Sequence, residues 1–345
     1  MNLVVNFGEN EDISYISSLI ASPYVKEGGR YYTVDNDAFC DSDAIKLFRG
    51  LKASSPYQIV NIFKLVVLVK SIFLARRVVI TSPSPVNIIL LVFCSFFRKD
   101  VHSYVHDVVP HYKGVRGILY SIQNKLKFNY SERVFVFSEE SKLYLMDVYP
   151  KLTVTQISLP SPAEMLTDTA NVENYKKQYD YVWWGRPEEY KGWRRLGEFA
   201  DRILQDNRTL LVISNVEMES DFYQLLQDKS NVTFYNRFLA LNELIEFLQS
   251  CRVNICPYDT ATQSGIVAFC TCIGLPSLVS CVGGLTDQVV AGVNGFLLRD
   301  VVGEANEAIF HKLTNLKPSD IKEFYTSNFG GLSMVKQIEV VLADD

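Results

Sequence analysis

Apolar and polar positions along this chain follow two alternating rhythms. Short, mostly β-branched and aliphatic runs recur: Asn2–Phe7, Arg77–Ile80, Val101–Val105, Val134–Phe137, Tyr179–Trp184, Leu210–Ser214, Val232–Tyr235 and Val253–Cys256. Runs that are apolar on both faces read as strands of a parallel sheet. Between them lie stretches with helical spacing. Ile13, Ile16, Leu19 and Ile20 mark one across Glu9–Ile20, Ile59–Leu74 and Val86–Phe97 are others, and an amphipathic helix ends at Gln249. Such alternation predicts an α/β chain whose sheets are covered on both faces and whose ligands bind beyond the carboxyl ends of the strands. Ile62–Leu74 is interrupted by Lys64 and Lys70, and Val86–Phe97 is only twelve residues long. Both fall short of the roughly twenty apolar residues that cross a membrane, so they read as buried helices.

The stretch from Ile255 to Phe296 is the most informative. It reads as a strand, a polar loop, a helix beginning near Gln263–Gly265, a stop at Gly274-Leu275-Pro276, a strand over Ser277–Ser280 and a Gly283-Gly284 turn into a second helix. Helix starts after glycine-bearing loops offer unpaired N–H groups and a positive dipole end, which suits a phosphate; ordinary strand–turn–helix punctuation has the same look. Upstream, GRPEEYKG places Arg186 and Lys191 on one loop after a strand. Two cations converging at a strand end suit a diphosphate, and two solvated side chains are the blander alternative.

The combination Pro257-Tyr258, Ser264-Gly265, Gly274-Leu275-Pro276, Gly283-Gly284 and Gly292-Val293-Asn294-Gly295-Phe296 resembles the nucleotide-sugar site of glycosyltransferase family 4 and its GT-B relatives. The resemblance implies two Rossmann-like, doubly wound α/β domains facing across a cleft: residues 1–160 binding acceptor, residues 178–325 binding the nucleotide sugar, and a terminal helix over 330–345 crossing back to the first domain. It implies that Gly185, Arg186 and Lys191 meet the departing diphosphate and that Thr262, Gln263, Ser264 and Gly265 hold a phosphate through the loop and helix start. The loop around Tyr235, Arg237 and Phe238 would lie against the base, although Arg237 by itself reads equally as a surface cation. His106-Asp107, at the end of Val101–Val105, matches a His-Asp pair that such proteins direct at the donor sugar, and on residues alone also reads as a satisfied loop histidine. His111, Lys113 and Arg116 are acceptor-side candidates.

The chain departs from the pattern at the first loop, where a single Gly8 stands for a glycine-rich one, at Asp287, which replaces the usual Glu after Gly-Gly, and at the ribose. The carboxylates that commonly bind the ribose fall, by register, near Thr262 or Gln263 and on Phe269 or Cys270, and none of these is an acid. Val34–Asp37 and Asp41–Asp43 have Asp-x-Asp spacing but lack the strand context of a metal motif, so no metal site is expected.

Composition adds limits. At 345 residues and 48% hydrophobic, the chain supports two cores. Its net charge of −5 disfavours a nucleic-acid partner. Residues 1–160 carry 18 basic and 14 acidic side chains, a weakly basic half that reads as a solvated surface or a face for an anionic membrane. Seven cysteines without C-x-x-C spacing, and no signal peptide, suggest a cytoplasmic protein, which makes the three glycosylation sequons chance matches. The resulting expectation is a retaining, metal-independent glycosyltransferase. Its donor is a nucleotide sugar and its acceptor a saccharide or lipid-linked glycan of bacterial surface polysaccharide, made in the cytoplasm with peripheral contact to the inner membrane. A non-catalytic partner module and a nucleotide-sugar epimerase on the same fold are the alternatives.

Overall fold

The runs Leu3-Val4-Val5 and Val78-Val79-Ile80 are wholly buried, as strands covered on both faces must be. The computed structural model describes residues 1–7, 11–33, 44–46, 62–84, 86–109, 114–167 and 176–344. These divide into two units, residues 1–158 with 331–345 and residues 159–330. The Asp-x-Asp stretches, Gly8, His111 and Lys113 lie outside the described residues, as does the side chain of Arg116.

The first unit holds strands β1 (Asn2–Asn6), β2 (Arg30–Thr33), β3 (Ala44–Lys46), β4 (Arg77–Ile80), β5 (Asp100–Val105), β6 (Arg133–Val136) and β7 (Thr153–Gln156). They form one parallel sheet in the order β3-β2-β1-β4-β5-β6-β7. Leu3, Val5, Val78 and Ile80 meet Leu68, Ile72, Leu90, Leu91 and Cys94 from the helices Ile62–Leu74 and Val86–Phe96. The C-terminal helix Gly331–Ala343 packs on the helix Glu11–Lys26 of the same unit, with Lys26 Nζ 2.8 Å from Glu339. No helix among the described residues is long and apolar enough to cross a membrane.

The second unit holds β8 (Tyr179–Trp184), β9 (Leu210–Ser214), β10 (Val232–Asn236), β11 (Cys251–Cys256), β12 (Ser277–Ser280) and β13 (Gly295–Leu298), parallel in the order β10-β9-β8-β11-β12-β13. Both sheets are doubly wound and Rossmann-like. The segment from Pro160, which reads as linker from its polar composition, begins inside this unit. Ala163 is fully buried in its core, and the Ser161 N–H donates to Tyr325 Oη at 2.6 Å. Strand order reverses between β8 and β11, so the loops after these two strands flank the crevice where such sheets bind ligands.

Candidate functional site

Three chain segments meet at that crevice. The first leaves β8 through Gly185, which has φ +112°. A Cβ there would lie 3.2 Å from Lys191 Nζ and 3.1 Å from Ile266 Cδ1, so only glycine leaves both groups where they are. The second is the turn Glu189–Lys191, closed by Gly192 in the left-handed region at φ +64°. A side chain on Gly192 would overlap the Pro257 carbonyl oxygen, which fixes this turn against the loop after β11. The Asp259 N–H donates to Tyr190 O at 2.8 Å across the same seam. The third is the helix Gly265–Cys272, capped by Ser264, whose hydroxyl accepts from the Val267 N–H at 3.3 Å.

Arg186, Lys191 and the helix start therefore share one place in the fold. Burial lowers the affinity of the Lys191 ammonium for its proton, and the neighbouring Arg186 charge lowers it further. Arg186 itself is exposed and Lys191 half-buried. Cys256 and Glu188 oppose the shift, yet two cations this close still favour an incoming dianion. The helix start contributes less than the sequence suggests at one residue and more at another. The Ser264 N–H already donates to Gln288 Oε1 at 2.7 Å, while Gln288 Nε2 donates back to Ser264 O at 3.1 Å. Gly265 and Ile266 carry the next two N–H groups, which have no acceptor among the described residues. Nothing lies within 4 Å of the Gly265 Cβ position, so an anion can approach that backbone. Thr262 and Gln263 are half-buried in the loop just before. The second helix start, after Gly283-Gly284, belongs to a single turn, Leu285–Gln288.

The proposed base loop looks different. Tyr235 leans on Phe247, with ring centroids 4.4 Å apart, and Arg237 makes a two-pronged pair with Glu243, one arm at 3.1 Å. Phe238 is 81% exposed. Phe269 and Cys270, where the ribose carboxylate would fall, sit in the core, Phe269 edge-on to Trp184 at 5.1 Å. Asp259, the loop's one acid, pairs with Arg195 at 2.9 Å.

In the first unit, His106 follows β5, its ring 4.6 Å from that of Phe137. Burial drives its pKa down to about 4; Asp107 opposes this shift and Lys127 adds to it. His106 is therefore a neutral ring at physiological pH. His106 and Asp107 line a cavity of about 40 Å³ with Pro83, Tyr120, Asn124 and Lys127. Asn124 Nδ2 donates to the Asp107 and Val108 carbonyls at 2.8 and 3.2 Å and pins this strand end.

Lys127 is the residue that the sequence reading missed. It is 1% exposed, and its Nζ donates to Tyr104 O at 3.1 Å. Its helix, Gly114–Tyr130, buries Gln123, Asn124 and Lys127 beside Phe128, while Val115, Ile118 and Ile122 face solvent. A polar stripe at positions i, i+1 and i+4 was the available signal.

Residues 178–315 match the family model described as Glycosyl transferases group 1. The second unit is a group 1 glycosyltransferase domain. Searching curated proteins by sequence returned no match. Among solved structures, Anabaena Alr3699/HepE in complex with UDP-glucose is similar at 15% identity and TM-score 0.68, covering 99% of this chain and 100% of that one. The lipopolysaccharide outer core galactosyltransferase WaaB is similar at 13% identity and TM-score 0.64, covering 100% and 99%. WaaG, a glycosyltransferase involved in lipopolysaccharide biosynthesis, follows at 15% identity and TM-score 0.63, covering 100% of both chains. The two sheets, the glycosyltransferase domain and these likenesses make the chain a glycosyltransferase of the GT-B fold.

Proposed function

We propose that this glycosyltransferase moves a sugar from a nucleoside-diphosphate sugar to a saccharide or lipid-linked glycan, with retention at the anomeric carbon and without a metal ion. One observation supports the reading: Lys191 Nζ and the Ile266 side chain crowd the bare backbone of Gly185, the Arg186 charge acts on Lys191, and Ile266 belongs to the helix start whose Gly265 and Ile266 N–H groups are open. As the bond from the sugar to the diphosphate breaks, negative charge builds on the leaving oxygen. Two cations and two amide dipoles already in position stabilise that charge without reorganising. Fixed positive groups then do what a divalent metal does elsewhere, so chelators leave turnover unchanged on this reading. Thr262 and Gln263 line the approach, and Tyr235, Arg237 and Phe238 form the wall assigned to the base. His106, neutral and held by a pinned strand end, suits a hydrogen bond to a sugar hydroxyl, with Asp107 beside it. The UDP-glucose complex of the HepE protein supports the donor class, and WaaB and WaaG support an acceptor in surface polysaccharide.

A membrane-proximal acceptor is supported by the surface of the first unit. The helices Ile62–Leu74, Val86–Phe96 and Gly114–Tyr130 pack side by side and contain no Asp or Glu, while Lys64, Lys70, Arg116 and Lys125 are among their residues. Phe73, Phe96, Val115 and Ile118 are each more than 60% exposed on them. Exposed apolar side chains on helices that carry basic and no acidic residues suit the cytoplasmic face of an anionic bilayer.

Calorimetric titration with UDP, GDP and dTDP tests the core of the reading. Binding of one of them in the micromolar range is expected, and silence at millimolar concentration for all three defeats it. A panel of the corresponding sugar nucleotides, followed by hydrolysis, then names the donor.

A further inference from the structure

The cavity beside His106 holds a group for which the mechanism above has no use. Lys127 is enclosed by the fold and has no carboxylate within salt-bridge distance among the described residues. Its one partner among the described residues is the Tyr104 carbonyl, although an ammonium has three N–H groups to place. One turn earlier, Gln123 is also wholly buried, and neither atom of its amide has a partner among the described residues. The inward face of this helix therefore carries more polar capacity than the protein itself satisfies. Buried lysines are costly, and a core position built for stability takes a leucine or a methionine. A lysine retained there, lining a cavity shared with His106, Asp107 and Tyr120, points to a ligand atom.

We propose that Lys127 is a substrate-binding residue whose Nζ receives a saccharide hydroxyl oxygen that enters the cavity beside His106. This rests on the reading that the first unit binds saccharide. A hydroxyl fits better than a phosphate or carboxylate, because Asp107 lines the same cavity and repels an anion. The volume of about 40 Å³ suits a hydroxyl or hydroxymethyl group and excludes a whole ring. The titratable groups about Lys127 are His106 and Asp107 from the end of β5, Tyr104 from within it and Tyr120 from its own helix. Burial takes the Lys127 pKa from its ordinary 10.5 to about 7. The unfolded chain keeps that proton until about pH 10.5, so between about pH 7 and 10.5 the unfolded state binds more protons and folding strengthens as pH rises.

The test measures melting temperature and turnover together, because a structural lysine and a binding lysine move them differently. Lys127→Met removes the burial cost and keeps the volume. At pH 8 it is expected to raise Tm by several degrees, to flatten the rise of Tm between pH 7 and 9, and to cut turnover of the best sugar nucleotide of the panel at least tenfold, with nucleoside-diphosphate affinity within twofold of wild type. Lys127→Gln carries the same expectation should the methionine variant not fold. A fall in Tm with either variant, or turnover within twofold of wild type, overturns the proposal. If no sugar nucleotide is turned over even by the wild-type protein, the broader functional reading fails, and the direction of the Tm change alone decides the role of Lys127.

Discussion

Each unit places a desolvated lysine near the carboxyl end of its sheet, and the two are solved differently. Lys191 comes from a single turn between two glycines, half-open to solvent, with the Arg186 charge beside it. Lys127 comes from the inner face of a seventeen-residue helix, is sealed from solvent, and has a neutral histidine as its neighbour. Two adjacent cations are stable together only while water screens them, and they gain most when a dianion replaces that water. A lone sealed lysine near its neutral point gains little from a dianion and much from one well-placed oxygen. On the proposed reading, the contrast gives charge handling to the second unit and oxygen-by-oxygen recognition to the first.

The sharpest way to break this division is Lys191→Ala. Loss of one preorganised charge contact at a leaving group costs about a hundredfold or more in turnover. Turnover within a few-fold of wild type, in a protein shown to be folded, would leave the second unit without its proposed role. Gly185→Ala is the quieter version. Its methyl group presses on Lys191 Nζ and Ile266 Cδ1 and forces φ +112° on an L-residue. A fall in turnover of about tenfold, with a stability loss of about 1–2 kcal/mol, is expected. Full activity with lowered stability would show that Lys191 can move aside without consequence.

His106→Ala sharpens the other half. Nucleoside-diphosphate affinity should stay within about twofold while transfer falls about tenfold. The same variant alters acid behaviour. The folded ring resists protonation down to about pH 4, whereas an unfolded histidine takes up its proton near 6.5. The unfolded state therefore binds more protons between those values, so the wild-type protein is at full stability above pH 6.5 and loses it as pH falls toward 4. Removing the ring should flatten that part of the thermal-stability profile. An unchanged profile would show that His106 is not the group that titrates.

How much of this was legible in the sequence depends on which force set each position. The central strands were legible because burial on both faces forces unbroken apolar runs, and β8, β9 and β12 fall where Tyr179–Trp184, Leu210–Ser214 and Ser277–Ser280 place them, whereas β2, β3, β7 and β13 were not read as strands. Gly185, Arg186 and Lys191 were legible as a local motif, because glycine is demanded by backbone geometry that neighbours in sequence create. The clamp of Gln288 on Ser264 spans 24 residues and leaves no mark in either local segment, so the Ser264 N–H looks available until the fold is seen. Lys127 was hidden for a related reason. In the run Lys125-Leu126-Lys127-Phe128 only the stripe that Lys127 shares with Gln123 and Asn124 hints at which lysine turns inward, because the two differ in helical phase against a sheet laid down by distant strands.

The finest probe of the comparison is Arg237, an exposed cation of the second unit that lies apart from the Gly185 turn in sequence. The residues alone left it open whether this side chain meets a nucleobase or solvent. In the structure both of its arms are engaged by Glu243, and its guanidinium lies 5.9 Å from the Tyr235 ring. An exposed pair of this kind adds little to stability and orients the side chain toward the start of the helix Leu241–Gln249. A base stacked on this wall would draw on backbone and on the Tyr235–Phe238 surface more than on a guanidinium already committed. Arg237→Ala should therefore change nucleoside-diphosphate affinity and turnover by no more than about threefold, and Glu243→Ala should do no more. A tenfold loss of affinity in Arg237→Ala alone would mean that the pair opens to receive the base, and that the second unit, like the first, reads its ligand with a side chain held in reserve.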